Sequence, residues 1–290
     1  APAKPTSGSP ALAEALASLR DASGPGDAAE VPGARARALA SIRRVLRGGA
    51  AVTAEEARAV VAAATRALAR APPASRGASS FSPRAEPEPS AETKTHALFT
   101  LRDLARCSPE AFAPHANAAL PVILDALEDP EGTERDPEIA LGAGDALDGV
   151  VDAIAPEAAL RALAPRLALT TLRDGGPRGH SLGGTLSAAP VRCVGGVAAR
   201  MSADALRGVA PEILPGLVEA FNSTSADVRK AVVDALVGMH DALGDWLLPR
   251  LSGLTAAQQK LLTIYINRAA ERRGKGGSDR GELGAGKNGA

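Results

Sequence analysis

Short helices, each with its own start signal, succeed one another along most of this chain. Thr53-Ala54-Glu55-Glu56 is a capping box: the Thr hydroxyl can accept the N3 amide while Glu56 reaches back to the cap. Behind it Val60, Val61, Ala64 and Leu68 line one face. Thr255-Ala256-Ala257-Gln258 repeats the device, with Leu261, Leu262 and Tyr265 as its apolar stripe. Ser108-Pro109 is an N-cap followed by a proline at N1, where the missing N–H costs nothing, and Pro156 and Pro211 read the same way. Val228, Val232, Leu236 and Met239 recur at i, i+4, i+8 and i+11, the spacing of a helical face.

Together these signals predict about twelve helices, at 9–20, 33–47, 53–70, 93–106, 109–127, 135–153, 156–171, 180–200, 203–221, 225–240, 242–251 and 255–272. Taken in pairs they form six units of about 40 residues, the period of HEAT repeats. No pair can bury its apolar stripe alone; stacking the pairs buries a continuous core and leaves faces of loops for binding. The expected fold is all-α, a right-handed solenoid of about six HEAT repeats over 9–272. Residues 1–8 are short and polar, 71–92 carry Pro and Ser at a density no helix tolerates, and 273–290 are Gly-rich and charged. These read as a disordered N-terminal segment, a flexible loop and a disordered tail.

Composition supports helices. Hydrophobic residues make up 45% of the chain but aromatics only 2%, so the core is built from small side chains at close range. β-branched runs are scarce, which disfavours sheet. Lys+Arg and Asp+Glu balance at 33 each, so no global field favours nucleic acid or an anionic membrane. No run of about 18 apolar residues predicts a membrane span. "APAKPTSGSP" has no apolar signal core, and a start without Met reads as a piece of a longer protein. Cys107 and Cys193 fit no metal or redox spacing, which suits a reducing cytosol.

The stretch from Pro211 to Ala269 carries a resemblance. It holds Pro-Glu-Ile-x-Pro-Gly-Leu (Pro211 to Leu217), Ser-x-x-Val-Arg-Lys (Ser225 to Lys230), Leu-x-Pro-x-Leu (Leu247 to Leu251) and Lys-Leu-Leu-x-x-Tyr-Ile-x-Arg (Lys260 to Arg268). In that order these elements resemble the C-terminal TOG-like domain of CLASP proteins, the CLIP-associating microtubule regulators. "SPEAFAPHANAALPVILDALEDP" and "DAIAPEAALRALAPRL" look like the middle of the same domain, and the likeness is collinear but weaker over 9–200. The resemblance implies a non-enzymatic domain that docks CLIP-type plus-end trackers and kinetochore or cortical adaptors. It places the parent protein in the cytoplasm, on microtubules, their plus ends and the spindle, promoting rescue and suppressing catastrophe. It implies no cofactor. Direct αβ-tubulin binding through the loops inside each repeat is the alternative. The family's tubulin binders present a Trp where this chain reads "AEVPGARA", and the second loop is expanded to about 20 residues; both favour adaptors. A different HEAT scaffold, such as a transport receptor or phosphatase scaffold, normally has a much longer array.

The candidate contacts follow from loop position. Arg229 and Lys230 sit on the first turn of a helix, where the dipole disfavours cations, so they need a partner. That partner is either an acidic protein surface or a nearby carboxylate such as Asp227 or Asp234. Arg173 and Arg178 join them from the loop 172–179. Trp246, the single Trp, is either an interface anchor or an edge-packed core residue capping the last repeat. Arg35, Arg37, Arg43, Arg44 and Arg47 form a basic run, and Asp145, Asp148 and Asp152 share a face; both read better as solvated faces than as binding sites.

Chemistry has little footing. "GHSLGG" fits the G-x-S-x-G nucleophile elbow, with Ser181 at the nucleophile position. An elbow needs an apolar strand before it and an acid then a histidine after it. "TLRDGGPR" is no strand, and the only histidine downstream is His240, inside a helix. His96, His115 and His240 have no companions at metal spacing, no EF-hand loop occurs, and no P-loop implies a nucleotide. A serine hydrolase remains the remote alternative.

Overall fold

The computed structural model describes residues 9–22, 33–69, 89–129, 136–168 and 188–278; for 274–278 only the backbone is described. Every regular element among them is helical. They are α1 (Pro10–Asp21), α2 (Ala34–Arg47), α3 (Ala54–Leu68), α4 (Ala91–Cys107), α5 (Pro109–Phe112), α6 (Ala116–Leu127), α7 (Pro137–Ala153), α8 (Pro156–Ala168), α9 (Ala188–Ala198), α10 (Ala203–Ala220), α11 (Ala226–Leu243) and α12 (Ala256–Ser278). The all-α fold expected from the sequence is the one found among the described residues.

The start signals act as written. Thr53 Oγ1 accepts the Glu56 amide at 3.2 Å while Glu56 Oε2 accepts the Thr53 amide at 2.9 Å. Gln258 and Thr255 make the same exchange, at 3.3 and 2.9 Å. Ser90, Ser202 and Ser225 cap α4, α10 and α11 through their hydroxyls.

Four sequence expectations need correction. Pro211 does not open a helix. It lies inside α10 together with Pro215, and Ser202 is the cap. Each internal proline removes one i→i−4 bond, a loss that α10 tolerates because Leu206, Val209, Ile213, Leu214 and Leu217 bury its apolar face. The stretch 242–251 is not a helix but two single 3₁₀ turns, Gly244–Trp246 and Leu248–Arg250. Gly244, at φ 60°, ends α11, and Pro249 prevents a longer turn. Pro114 likewise splits 109–127 into α5, a 3₁₀ turn and α6. Finally, α12 runs to Ser278, past the boundary read at 272, and Arg273 on it pairs with Asp241 of α11.

The described residues divide into two compact units. The first takes in those from 9 to 162 with 188 and 189; the second takes in 163–168 and 190–278. In the first unit α1, α3 and α6 lie side by side as one layer, and α2, α4 and α7 as another. The pairings α1 with α2, α3 with α4 and α6 with α7 join the layers, which is the helix-pair repeat. Leu39, Ile42 and Leu46 of α2, Leu98, Leu101 and Leu104 of α4, and Leu147 and Val150 of α7 are buried between them.

Small residues allow the closest approaches. A methyl group on Gly149 of α7 would meet Arg102 Cγ of α4 at 3.1 Å. In the second unit, α10 packs on α11 and α11 on α12. There α9 crosses α11 glycine to glycine: a Cβ on Gly195 would stand 3.2 Å from Ala235 Cα, and one on Gly238 would stand 3.3 Å from the Gly195 carbonyl.

Candidate functional site

The loop inside the fifth repeat joins α10 to α11 in five residues, Phe221 to Ser225. Its carbonyls point toward the first turn of α11. Arg229 on that turn donates from one guanidinium nitrogen to the carbonyls of Ser223 and Thr224, at 2.7 and 2.8 Å. A cation at a helix N-terminus is unfavourable against the dipole. Here two backbone oxygens compensate, so the expected pairing with Asp227 or Asp234 gives way to a local clasp. The loop is tied at its other side, where Gln258 Nε2 donates to Asn222 Oδ1 at 3.0 Å. Arg229 is therefore half-buried and fixed, while Lys230 beside it is exposed.

Trp246 is half-buried at the end of the first 3₁₀ turn, beside the buried Leu247. The Arg250 guanidinium lies 3.6 Å over the Trp246 ring, and the same side chain donates to the Trp246 carbonyl at 2.9 Å. One ring face is thus covered by a cation of the next 3₁₀ turn. Trp246 and Arg229 are not brought together. Arg229 is on the first turn of α11 and Trp246 lies beyond its last, so about 21 Å of helix separates them. Arg173, Arg178 and Ser181 lie outside the described residues, as do most of the 71–92 loop and residues 1–8.

The basic run on α2 is not a simple solvated face. Arg43 and Arg47 reach across to α4 and donate to Asp103, Nε to Oδ2, at 3.1 and 2.8 Å. Arg102 donates to the other oxygen of Asp103 from two nitrogens, at 3.0 and 2.8 Å, and to Asp145 of α7 at 2.9 Å. Asp145 is thereby part of a structural network rather than of a cation surface. Two guanidinium groups approach the Phe99 ring, Arg43 at 4.8 Å and Arg102 at 4.6 Å from its centre. Burial would push the Asp103 carboxyl up, but the hydrogen bonds from Arg102, Arg47 and Arg43 outweigh it and hold the group below the usual carboxylate range. His96 Nδ1 accepts from Arg43 at 2.9 Å, which leaves the proton of the neutral ring on Nε2. Burial and the Arg43 charge both push this imidazole below its usual value, opposed by Glu92.

Asp103 and its arginines escape a sequence reading because the partners are 56 and 60 residues apart. One local signal was present: "TLRDLAR" places a carboxylate in the apolar stripe of α4. A second unread feature is a cavity of about 400 Å³ among α1, α2 and α3, lined by Leu16, Leu19, Ala59 and Ala63 with Arg20, Arg35 and Arg66. A third is on α12, where Leu261 is exposed and the buried stripe is Leu262 and Ile266. Among the described residues no group of three His, Cys, Asp or Glu could hold a metal ion, and no helix is long and apolar enough to cross a membrane.

Comparison with known proteins matches the family resemblance. The chain is 29% identical over 173 residues to CLIP-associating protein 1-A of Xenopus laevis, covering 60% of this chain and 11% of that protein. It is 42% identical over 83 residues to a CLIP-associated protein of Arabidopsis thaliana, 29% of this chain and 6% of that one. The matched region thus spans about a tenth or less of the length of these relatives. A structure described as the basis of microtubule plus end tracking by XMAP215, CLIP-170 and EB1 superposes with a TM-score of 0.63. Its identity is 15%, over 88% of this chain and 89% of that one. The MAST/Orbit N-terminal domain superposes at 0.52 with 12% identity, over 88% and 96%. At such identities these structures speak for the fold. No protein-family model matches the chain.

Proposed function

We propose that this chain is a non-enzymatic docking domain of a CLASP-type microtubule-associated protein. It holds CLIP-type plus-end trackers or kinetochore and cortical adaptors. By doing so it places its parent at microtubule plus ends, kinetochores, cortex and spindle, in the cytoplasm. The observation that carries the reading is the 173-residue similarity to CLIP-associating proteins on a TOG-like repeat fold. Adaptor docking is favoured over tubulin binding by the loop edge itself. Arg229, the best-placed loop cation, is committed to its own loop carbonyls, and α2 opens on Gly33-Ala34 with no aromatic.

One observation supports the second reading, direct αβ-tubulin binding: Lys230 stands exposed beside Arg229 on the edge of a repeat loop. Gel filtration of the chain with unpolymerised tubulin separates the two. Separate elution supports adaptor docking. A stoichiometric complex that is lost in Arg229→Ala/Lys230→Ala overturns it in favour of tubulin binding. A fluorophosphonate probe addresses catalysis, since covalent labelling at Ser181 would sink the scaffold reading.

A further inference from the structure

Four large apolar side chains are exposed among the described residues. Leu141 is on α7, and the other three, Leu248, Leu261 and Ile264, lie in the last repeat at 39%, 42% and 39% exposure. On α12, Leu262 and Ile266 face inward. Leu261, Ile264, Arg268 and Arg272 recur at i, i+3, i+7 and i+11, on a face turned away from that buried stripe. This face of α12 thus sets two exposed apolar side chains beside two cations.

The charge of the face decides what can cover it. From 256 to 273 the basic residues are Lys260, Arg268, Arg272 and Arg273, and the single acid is Glu271. Arg273 is held by Asp241, whereas among the described residues no ion pair engages Lys260, Arg268 or Arg272. A second copy of this chain laid on the same face would set cations against cations at short range. An extended acidic tail would satisfy the cations but bring no apolar group to cover Leu261 and Ile264. A helix with an apolar stripe and acidic flanks satisfies both, with anchors spaced i, i+3 and i+4.

We propose that this face of α12 docks an acidic amphipathic helix of the partner protein, an inference that rests on the adaptor-docking reading. Leu261 and Ile264 take the apolar anchors, and Lys260, Arg268 and Arg272 pair with the carboxylates. Rim charges of this kind steer encounter and select the partner, and the apolar anchors supply most of the hold.

The test uses the full chain and three labelled helical peptides of about 20 residues. One carries Leu at the anchor spacing with Glu on the flanks, one has Lys in place of every Glu, and one is a scramble of the first. Anisotropy titrations are expected to rank the acidic amphipathic peptide at least tenfold tighter than the other two. Leu261→Ser/Ile264→Ser should weaken it at least tenfold. Arg268→Glu/Arg272→Glu should lose it and gain the Lys peptide. The positions are exposed, so unchanged melting confirms that the variants fold. Equal binding of the scramble, or indifference to these substitutions, overturns the proposal. So does a dimer of the chain, seen in sedimentation, that Leu261→Ser/Ile264→Ser abolishes. A purified CLIP-type adaptor run against the same variants separates the two levels. Adaptor binding that survives Leu261→Ser/Ile264→Ser refutes this face and leaves the docking function standing. No adaptor binding by the unaltered chain sinks the function instead, whatever the peptides do.

Discussion

Replacing Asp103 by Asn keeps the shape of the side chain and removes its charge. In the native structure that carboxylate accepts from Arg43, Arg47 and Arg102, and its side chain is only 6% exposed. An amide can accept with its oxygen, but its NH2 group would face guanidinium N–H donors. Breaking a buried pair from one side costs about 3–5 kcal/mol, because the partner charge stays buried and unpaired. Two observations reduce that figure here. Arg47 is 53% exposed, and Arg102 retains Asp145 at 2.9 Å. The expected loss is therefore about 2–4 kcal/mol, a fall in melting temperature of roughly 5–15 °C for a domain of this size. Far-ultraviolet circular dichroism in urea is the assay. Trp246, the only Trp, sits in the second unit, so its fluorescence does not report on the first. The control is Asp145→Asn, whose side chain is 42% exposed and which should cost less than about 1 kcal/mol. The pH dependence follows from the depressed carboxyl. As pH falls, the unfolded chain binds the proton first, so the contribution of Asp103 is present above the ordinary carboxylate range. It is lost as pH drops through the lower native value, so the gap between wild type and Asp103→Asn should close below about pH 4. A loss under about 1 kcal/mol at neutral pH would refute the reasoning and show that water screens the three arginines as it screens surface pairs.

Two further outcomes test the packing and the imidazole. Gly195→Ala gains about 1 kcal/mol of helix propensity but drives a methyl to 3.2 Å from the Ala235 backbone, where overpacking costs about 1–3 kcal/mol. Urea midpoints should show a net loss, larger for Gly195→Val, while Gly196→Ala, with open space around its Cβ, should gain. His96 is held neutral, so as pH falls below about 6.5 the unfolded chain takes up a proton that the native chain refuses, and stability declines. Melting temperatures from pH 7 to 5 should fall less steeply in His96→Gln than in wild type.

What the sequence revealed and what it hid divide along a physical line. Capping boxes at Thr53 and Thr255 are local, made within four residues, and both are found as written. The helix pairs could be read for the same reason, since each apolar stripe repeats within one element. Pro211 misled because proline at N1 is a tendency of isolated helix starts. Tertiary burial of Leu206, Val209 and Ile213 carries α10 through two prolines. The second face of α12 was hidden because Leu261 and Leu262 are adjacent in sequence but turn to different sides of the helix. The role of Asp103 was hidden because two of its three partners come from α2, and no local pattern joins residues 60 apart. Trp246 and Arg229 are held apart because they lie near opposite ends of α11. The clasp of Arg229 on Ser223 and Thr224 uses backbone oxygens, to which a reading of side-chain charges is blind.

The central claim is that this chain docks an adaptor rather than tubulin, and parallel calorimetric titrations test it most directly. The chain is titrated with a purified CLIP-type adaptor and, under the same buffer and salt, with unpolymerised αβ-tubulin. The account predicts saturable binding of the adaptor and no measurable heat with tubulin. Saturable tubulin binding with a silent adaptor would contradict it.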